Sequence, residues 1–261
     1  MQFVRAVVPF AAAFAIAYAL LCGWMYATQR SQIYFPTPPS TAARAQAWWV
    51  ESAAERIKVW VVSRPGSSAL LYFGGNAEDV ADTVDSLRDA IPDRSLYLVN
   101  YRGYGGSSGQ PTEAGLREDA ITIHDAVSRR HAEVAVMGRS LGSGIAVQLA
   151  ADRPVERLVL VTAFDSLANV AAAHFPWLPV RTLLKDRYES AVRASDVGAP
   201  VLMVIAAGDE IVPRARSEAL ISAFGSGQAE VVVVAGVGHN TLDLSPEYLR
   251  SVRRFLAPSS D

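Results

Sequence analysis

The pentapeptide Gly-Arg-Ser-Leu-Gly at positions 138–142 constrains the fold of this 261-residue chain more than any other feature. An apolar, strand-like run precedes it at 134–137, and a helix-like run follows at 145–150. At a sharp turn from a strand into a helix, a serine is held in a strained conformation with its hydroxyl exposed, and flanking glycines remove colliding side chains. A glycine-rich loop without chemistry is the alternative, but the small residues beyond the turn predict close helix-to-sheet packing. Ser140 is therefore the candidate nucleophile.

Ser140 requires a general base, and the base requires an acid that orients it. Residues 200–207 have the pattern of a buried parallel strand, and Asp209 follows shortly after that strand ends. Loops at the carboxyl ends of parallel strands carry the functional groups of such sheets, so Asp209 is the predicted acid. Its neighbour Glu210 and the strand-end residue Asp165 are the competing candidates.

His239 is the predicted general base. It lies between Gly238 and Asn240 in a loop that follows the last apolar run, at 231–234. The order serine, acid, histidine along the chain is the one expected when the nucleophile follows a strand in this way. The chain has 4 histidines, and the other three have structural explanations in a helix, at a helix end and in an apolar insertion: His124, His131 and His174.

The same chemistry requires backbone N–H groups that stabilise the negatively charged oxygen of a tetrahedral intermediate. The residue after the nucleophile, Leu141, supplies one of them. The second is expected from the Gly-Gly-Asn turn after the strand-like run 69–73, with the N–H of Asn76 favoured over that of Gly75. Asn76 would also serve as an ordinary helix N-cap, and the two roles are compatible because both use free N–H groups at a helix start.

These motifs resemble the α/β-hydrolase superfamily, and within it the small membrane-anchored serine hydrolases of the α/β-hydrolase-domain type. The resemblance covers roughly residues 30–257 and is carried by Phe73-Gly74-Gly75-Asn76-Ala77, Asn100-Tyr101-Arg102-Gly103-Tyr104-Gly105-Gly106-Ser107, Gly138-Arg139-Ser140-Leu141-Gly142-Ser143-Gly144, Phe164-Asp165-Ser166, Gly208-Asp209 and Gly238-His239-Asn240. It implies a triad of Ser140, His239 and Asp209, without a metal or an organic cofactor. The sequence departs from the family at Gly74, where the family usually has histidine. Without that histidine, the turn Gly74-Gly75-Asn76, called the oxyanion turn below, is expected to be held less rigidly.

Length and composition agree with one α/β domain. About 230 residues remain after the N-terminal segment, which is enough for one large core. Strand-like runs alternate with helical patterns, and this predicts an α/β-hydrolase fold with a mostly parallel central sheet and helices on both faces. The runs lie near 56–62, 69–73, 95–101, 133–137, 157–162, 200–207 and 230–235.

No nucleic-acid partner is expected, because a net charge of −2 gives no basic footprint. The glycine-rich loop 101–109 superficially resembles a phosphate-binding loop, but it lacks the lysine and the spacing that such loops require. It follows a strand, and the resemblance implies that it packs against the active site.

Residues 6–27 form an almost uninterrupted apolar run between Arg5 and Arg30. About 20 such residues span a bilayer core, so we expect an uncleaved single-pass anchor over 1–30 and the hydrolase domain over 31–261. A signal peptide is the rival, although its apolar region is usually shorter and no clear cleavage site follows. The charge bias is weak, and the expected catalytic side is extracytoplasmic. Every candidate catalytic residue lies beyond position 70, so removal of 1–30 is expected to leave an active domain.

An insertion at about 164–198 lies between two strands, is rich in apolar residues and is interrupted by Pro176 and Pro179. The resemblance implies a cap of two short helices that shelters the acyl group. We therefore expect a membrane-anchored serine hydrolase that cleaves carboxylic esters of a small-molecule or lipid-like substrate, with thioesters and amides as further candidates. A peptidase or acyltransferase of the same fold, and a non-catalytic membrane-anchored binding module, are the alternatives.

Overall fold

A single twisted sheet forms the centre of the molecule in the computed structural model, which describes residues 2–42 and 44–257. Its strands are β1 Gln46–Ser52, β2 Glu55–Val62, β3 Ser68–Phe73, β4 Ser95–Val99, β5 Glu133–Arg139, β6 Leu158–Val161, β7 Val201–Ala206 and β8 Ala229–Val234. Their order across the sheet is β1-β2-β4-β3-β5-β6-β7-β8. The pairs β1–β2 and β2–β4 are antiparallel and the other neighbours are parallel. The predicted mostly parallel sheet is confirmed.

Helices cover both faces of the sheet. The helices of the described residues are α1 Gln2–Ile33, α2 Val80–Ala90, α3 Glu113–Ser128, α4 Leu141–Asp152, α5 Leu167–His174, α6 Val180–Leu183, α7 Ser190–Arg193, α8 Arg214–Ala223 and α9 Pro246–Leu256. Of these, α2, α3, α4, α8 and α9 pack on the sheet. Alternate residues of β3 enter two separate cores, because successive side chains of a strand point to opposite faces. Leu71 and Phe73 pack with residues of α3, α4 and α8, whereas Leu70 and Tyr72 pack with residues of α2 and α9.

Local signals fix where several of these helices begin. Asp79, Thr112, Ser166 and Ser245 each occupy an N-cap position and accept a hydrogen bond from a backbone N–H in the first turn of the helix that follows. These caps satisfy N–H groups that have no partner inside the helix. The local sequence therefore fixes where α2, α3, α5 and α9 begin.

The strand β1 is an element that the sequence pattern does not predict. It pairs with β2 through a two-residue turn in which Ser52 and Glu55 are opposite each other. Such turns are usually marked by Asn-Gly or Asp-Gly, because their first residue takes a positive φ. Here the turn residues are Ala53 and Ala54, and Ala53 takes a φ of 50° without any sequence signal.

The N-terminal helix also differs from its predicted extent. A single α-helix, α1, continues through the expected apolar run to Ile33, so the predicted domain boundary at residue 30 falls inside it. Its segment Pro9–Ile33 is long and apolar enough to cross a membrane. The residue directly after the helix, Tyr34, is already buried in the core of the domain.

The cap lies in the predicted insertion but contains three short helices, α5, α6 and α7, rather than two. The residues between α5 and α6 include Pro176 and Pro179, which supports the prediction that these prolines interrupt the helical pattern. The additional helix α7 is followed by a 3-10 turn at Ala194–Asp196 before β7 begins.

Candidate active site

Ser140 sits at the tight turn between β5 and α4. Its φ of 50° is in the left-handed region that residues with a side chain rarely adopt. The turn is held because the Ser140 N–H donates to the Val161 carbonyl at 2.9 Å, while the Ser143 hydroxyl donates to the Ser140 carbonyl at 2.6 Å. Backbone strain of this kind persists only where surrounding contacts impose it, and here it keeps the hydroxyl at the sheet edge.

The two glycines of the pentapeptide are required by close packing. A Cβ atom at Gly138 would collide with the backbone of Gly142, and one at Gly142 would collide with the carbonyl oxygens of Phe73 and Gly74. The start of α4 therefore lies directly against the end of β3. This contact brings the turn after β3 next to the candidate nucleophile.

The structure brings the three predicted catalytic side chains into one hydrogen-bonded chain. The Oγ atom of Ser140 lies 2.9 Å from Nε2 of His239, and Nδ1 of His239 lies 3.0 and 2.9 Å from the two carboxylate oxygens of Asp209. An ionised carboxylate only accepts hydrogen bonds, so this arrangement places the imidazole proton on Nδ1 and leaves Nε2 free to accept the serine proton. The side chains of His239 and Asp209 are 6% and 5% exposed, which shields the pair from water.

Asp209 is oriented by its own loop. Its Oδ1 atom accepts hydrogen bonds from the backbone N–H groups of Ile211 at 2.9 Å and Val212 at 2.7 Å. The competing acids have other partners. Glu210 accepts a hydrogen bond from the backbone N–H of His239 at 3.3 Å, and Asp165 accepts from the side chains of Asn169 and Arg216.

Arg139 holds the histidine loop, although the pentapeptide leaves its identity open. Its guanidinium donates to Asp243 at 2.6 Å and to the carbonyl oxygen of His239 at 3.2 Å. Burial disfavours the charged form, but nearby Tyr72, Asp243 and Glu78 outweigh it and raise the pKa of Arg139 above its usual value. Arg139, the residue before the candidate nucleophile, therefore holds the loop that carries the predicted general base, His239.

The predicted oxyanion donors lie on the two backbone turns that meet at Ser140. Leu141 is the first residue of α4, where N–H groups have no partner within the helix. In the turn after β3, the Gly75 N–H already donates to the Glu78 carboxylate at 2.8 Å. Because the Gly75 N–H is engaged in this bond, the N–H of Asn76 stays the predicted second donor.

The turn that contains Gly74 is held by contacts from other segments, which bear on the expectation that it is less rigid without the family's histidine. Tyr101 donates to the Gly74 carbonyl at 2.6 Å, and Tyr104 donates to the Asn76 carbonyl at 2.7 Å, so the glycine-rich loop after β4 packs against the site as expected. The Asn76 side chain also donates to the carbonyl oxygen of Ile33 at 3.0 Å. A Cβ atom at Gly74 would lie 2.8 Å from a methyl group of Val80, so the space of the family's histidine is already filled.

Glu78 is a further site residue, and no motif in the sequence singles it out. One carboxylate oxygen accepts the Gly75 N–H, and the other accepts the hydroxyl groups of Tyr72 and Thr83, both at 2.7 Å. Charge-assisted hydrogen bonds of this kind are about twice as strong as neutral ones. Glu78 therefore holds the oxyanion turn in place of the absent histidine.

Replacing Glu78 with glutamine is expected to lower kcat for ester hydrolysis by about tenfold, with KM changed much less. The amide keeps the size of the side chain but weakens its hydrogen bond to Gly75, and misplacing an oxyanion donor costs less than removing one, which costs about 10²–10³. The matched control is Thr83→Val, which removes a hydroxyl from the same carboxylate without touching Gly75. A Glu78→Gln enzyme with unchanged kcat would show that the turn does not depend on this carboxylate.

A cavity of about 770 Å³ opens beside Ser140 and His239. Its volume is in the range of sites for small-molecule ligands. Most of its lining is apolar and comes from three parts of the chain: Met25, Ile33 and Phe35 near the N-terminus, Phe164, Leu167, Val170, Phe175, Leu178, Val180 and Leu184 in the cap, and Ile211 and Val212 after β7. The polar lining residues are those around the triad together with Gln29 and Gln32 of α1. The predicted cap thus covers an apolar site, whereas the contribution of α1 has no signal in the sequence.

Comparison with known proteins agrees with this architecture. A family model described as alpha/beta hydrolase fold matches residues 65–187. An uncharacterized protein of Mycobacterium tuberculosis is 38% identical over 255 residues, which cover 91% of this chain and 90% of that protein. Protein ABHD12B of Homo sapiens is 30% identical over 224 residues, covering 74% of this chain and 62% of that protein. An esterase from Pyrococcus furiosus has the same fold at a TM-score of 0.67 and 16% identity, covering 84% of this chain and 98% of that one.

Proposed function

Because the chain belongs to the α/β-hydrolase fold family, we propose that it is a serine hydrolase that cleaves carboxylic esters through an acyl-enzyme on Ser140. The observation that carries the proposal is the continuous contact from Ser140 Oγ through the His239 ring to Asp209, with 2.9 Å at each end. A serine, a base and an orienting acid in hydrogen-bond contact are the arrangement that activates a hydroxyl for acyl transfer.

The reaction proceeds in two halves. Ser140 Oγ attacks the carbonyl carbon of the ester while its proton passes to Nε2 of His239, and the N–H groups of Leu141 and Asn76 stabilise the oxyanion. The intermediate collapses when His239 returns the proton to the departing alkoxide, which leaves the acyl group on Ser140. A water molecule then attacks the acyl-enzyme with His239 again as base, and the carboxylic acid is released.

Ester hydrolysis is favoured over the alternatives by the site around the triad. The lining of the cavity is mostly apolar, which suits the hydrocarbon part of a carboxylic ester better than a peptide backbone, whose polar groups would need partners. A non-catalytic binding module would not require the strained conformation of Ser140 or the contact with His239. The same triad also supports thioester or amide cleavage and acyl transfer, and these bonds are the second choice.

The test is turnover of p-nitrophenyl esters of increasing acyl length by the purified full-length protein, with and without prior fluorophosphonate treatment. We expect release of p-nitrophenol that the fluorophosphonate abolishes. An acyltransferase would instead need an added alcohol or amine acceptor for turnover, and a peptidase would prefer a peptide p-nitroanilide. A protein that is neither labelled nor active on any of these substrates would contradict the proposal.

We also propose that α1 is retained as a membrane anchor with the catalytic domain on the extracytoplasmic side. Full-length protein is then expected to sediment with membranes, to resist extraction with high salt or carbonate, and to keep Met1 or Gln2 as its N-terminus. N-terminal sequencing of protein recovered free of membranes gives the opposing result if it begins after position 20. In that case the segment is a cleaved signal peptide.

A further inference from the structure

The helix α1 is longer than a membrane anchor needs to be. It has 32 residues, and at about 1.5 Å per residue it is some 48 Å long, whereas a bilayer core of about 30 Å is spanned by about 20 residues. If the N-terminal part of the helix crosses the bilayer, the last three turns, residues 22–33, project beyond it. These turns then belong to the water-exposed side, together with the catalytic domain.

Polar contacts fix these last turns to the cap. The buried side chain of Gln29 donates to the Leu183 carbonyl at 3.2 Å and accepts the backbone N–H of Lys185 at 2.6 Å. Arg30 forms an ion pair of 2.9 Å with Asp186, whose side chain is 5% exposed. Breaking a pair that includes a buried charge leaves that charge without a partner, which is costly. The end of α1 is therefore fixed to the domain, and removal of residues 1–30 would delete the contacts of Gln29 and Arg30 with the cap, while the activity of the remaining chain stays a prediction.

The same turns present one face to the cavity beside Ser140. Four of their residues line it, and they are Met25, Gln29, Gln32 and Ile33. At about 100° per residue these four positions fall within an arc of about 100° around the helix, so they share one face. The cap residues Val170, Phe175 and Leu178 line the cavity as well. The cavity thus lies between α1 and the cap, and the α1 wall includes the apolar side chains of Met25 and Ile33.

Exposed aromatic residues mark the level at which α1 would leave the membrane. Tyr18 donates a hydrogen bond of 2.8 Å from its hydroxyl to the carbonyl oxygen of Trp177 in the cap. Trp177, Trp24 and Phe175 are 55%, 59% and 43% exposed, which is unusual for large aromatic side chains in water. Tryptophan and tyrosine are enriched where a protein meets the bilayer surface. The cap tip and the middle of α1 therefore suit the same interface.

We propose that residues 22–33 of α1 form one wall of the acyl-binding site at the bilayer surface, and that the substrate is an ester of a long-chain, membrane-resident amphiphile. This inference rests on the proposed function, since it assigns the substrate of the Ser140 site. The acyl chain lies between Met25 and the cap, and the ester group reaches the triad. The anchor helix thereby determines which acyl chains are accepted, while the triad performs the cleavage.

The test compares full-length variants in the same detergent with p-nitrophenyl acetate and p-nitrophenyl decanoate. Met25→Trp reduces the space for the chain and is expected to lower the ratio of kcat/KM for decanoate to that for acetate by about tenfold or more, the scale of discrimination that a pocket shows for one or two methylene groups. Met25→Ala enlarges the same space and is expected to move the ratio the other way. The matched control is Ala27→Trp, because Ala27 is exposed and lies about 160° around the helix from Met25.

Each outcome separates the two proposals. Fluorophosphonate labelling of every variant establishes that the triad is assembled, so a misfolded variant is recognised and the comparison then rests on the other Met25 variant. If wild type turns over both esters and both Met25 variants keep the ratio of Ala27→Trp, α1 is not part of the acyl site and this inference fails while the hydrolase assignment stands. If wild type cleaves no ester and takes no label, the proposed function itself has failed.

Discussion

Ser140→Ala is expected to reduce kcat for p-nitrophenyl ester hydrolysis by a factor on the order of 10⁴ or more. The substitution removes the oxygen that attacks the acyl carbon, and His239, 2.9 Å away, cannot supply a nucleophile of equal reactivity in that position. The residual rate comes from water in a site that still has its oxyanion donors. Initial rates with purified wild type and variant at equal concentration measure the effect.

The fold is expected to survive this change. The hydroxyl makes its hydrogen bond to His239 and is not part of either hydrophobic core, so thermal unfolding of Ser140→Ala and wild type is expected to be similar. The control is Ser222→Ala, which removes an exposed hydroxyl whose partner is a carbonyl on α8 and is expected to leave kcat unchanged. A Ser140→Ala protein that retains near wild-type turnover would mean that another residue is the nucleophile.

Asp209→Asn is expected to lower kcat by about 10⁴, because the carboxamide loses the charge that stabilises the imidazolium and favours the wrong tautomer of His239. Both carboxylate oxygens lie within 3.0 Å of Nδ1, and the two backbone donors on Oδ1 hold the side chain in this orientation. The substitution preserves the size and shape of the side chain, so the loss reports the missing charge and the altered tautomer of His239. Rates of deacylation after a burst with p-nitrophenyl acetate locate the affected step.

Two acidic neighbours provide controls for Asp209. Glu210→Gln alters a carboxylate whose contact with the histidine is at the backbone N–H, and Asp165→Asn alters one that is bound by Asn169 and Arg216. Both are expected to change kcat far less than Asp209→Asn. A large loss with Asp165→Asn and a small loss with Asp209→Asn would reverse the assignment of the acid.

Much of this site could be predicted because its residues directly follow the carboxyl ends of strands. Ser140, Asp209 and His239 each follow an apolar run, and parallel strands bring their carboxyl ends to one edge of the sheet. The sequence predicts that glycine is needed at positions 138 and 142 to avoid collisions, and the structure confirms it, because a side chain at either position would collide with backbone atoms. Local pattern and tertiary arrangement coincide at these positions.

Other parts depend on contacts between segments far apart in the chain, and these carry no local signal. The strand β1 begins a hairpin with an Ala-Ala turn that has none of the usual turn residues. Glu78 accepts the Gly75 N–H while the hydroxyl groups of Tyr72 and Thr83 bind the same carboxylate, and no sequence motif marks this arrangement. Likewise, the apolar composition of α1 predicts a membrane segment, but its packing against the cap depends on Gln29 and Arg30 meeting residues more than 150 positions away.

Mass-spectrometric mapping of the fluorophosphonate adduct on the full-length protein tests the central claim most directly. A single phosphonyl group is expected on the peptide that contains Ser140, formed rapidly with wild type, slowed strongly by His239→Ala and prevented by prior incubation with a slowly turned-over ester. Labelling on Ser140 under these conditions requires that its hydroxyl be activated by the histidine. An adduct on a different serine, or ester turnover by wild type without any adduct on Ser140, would contradict the assignment of an acyl-enzyme at this residue.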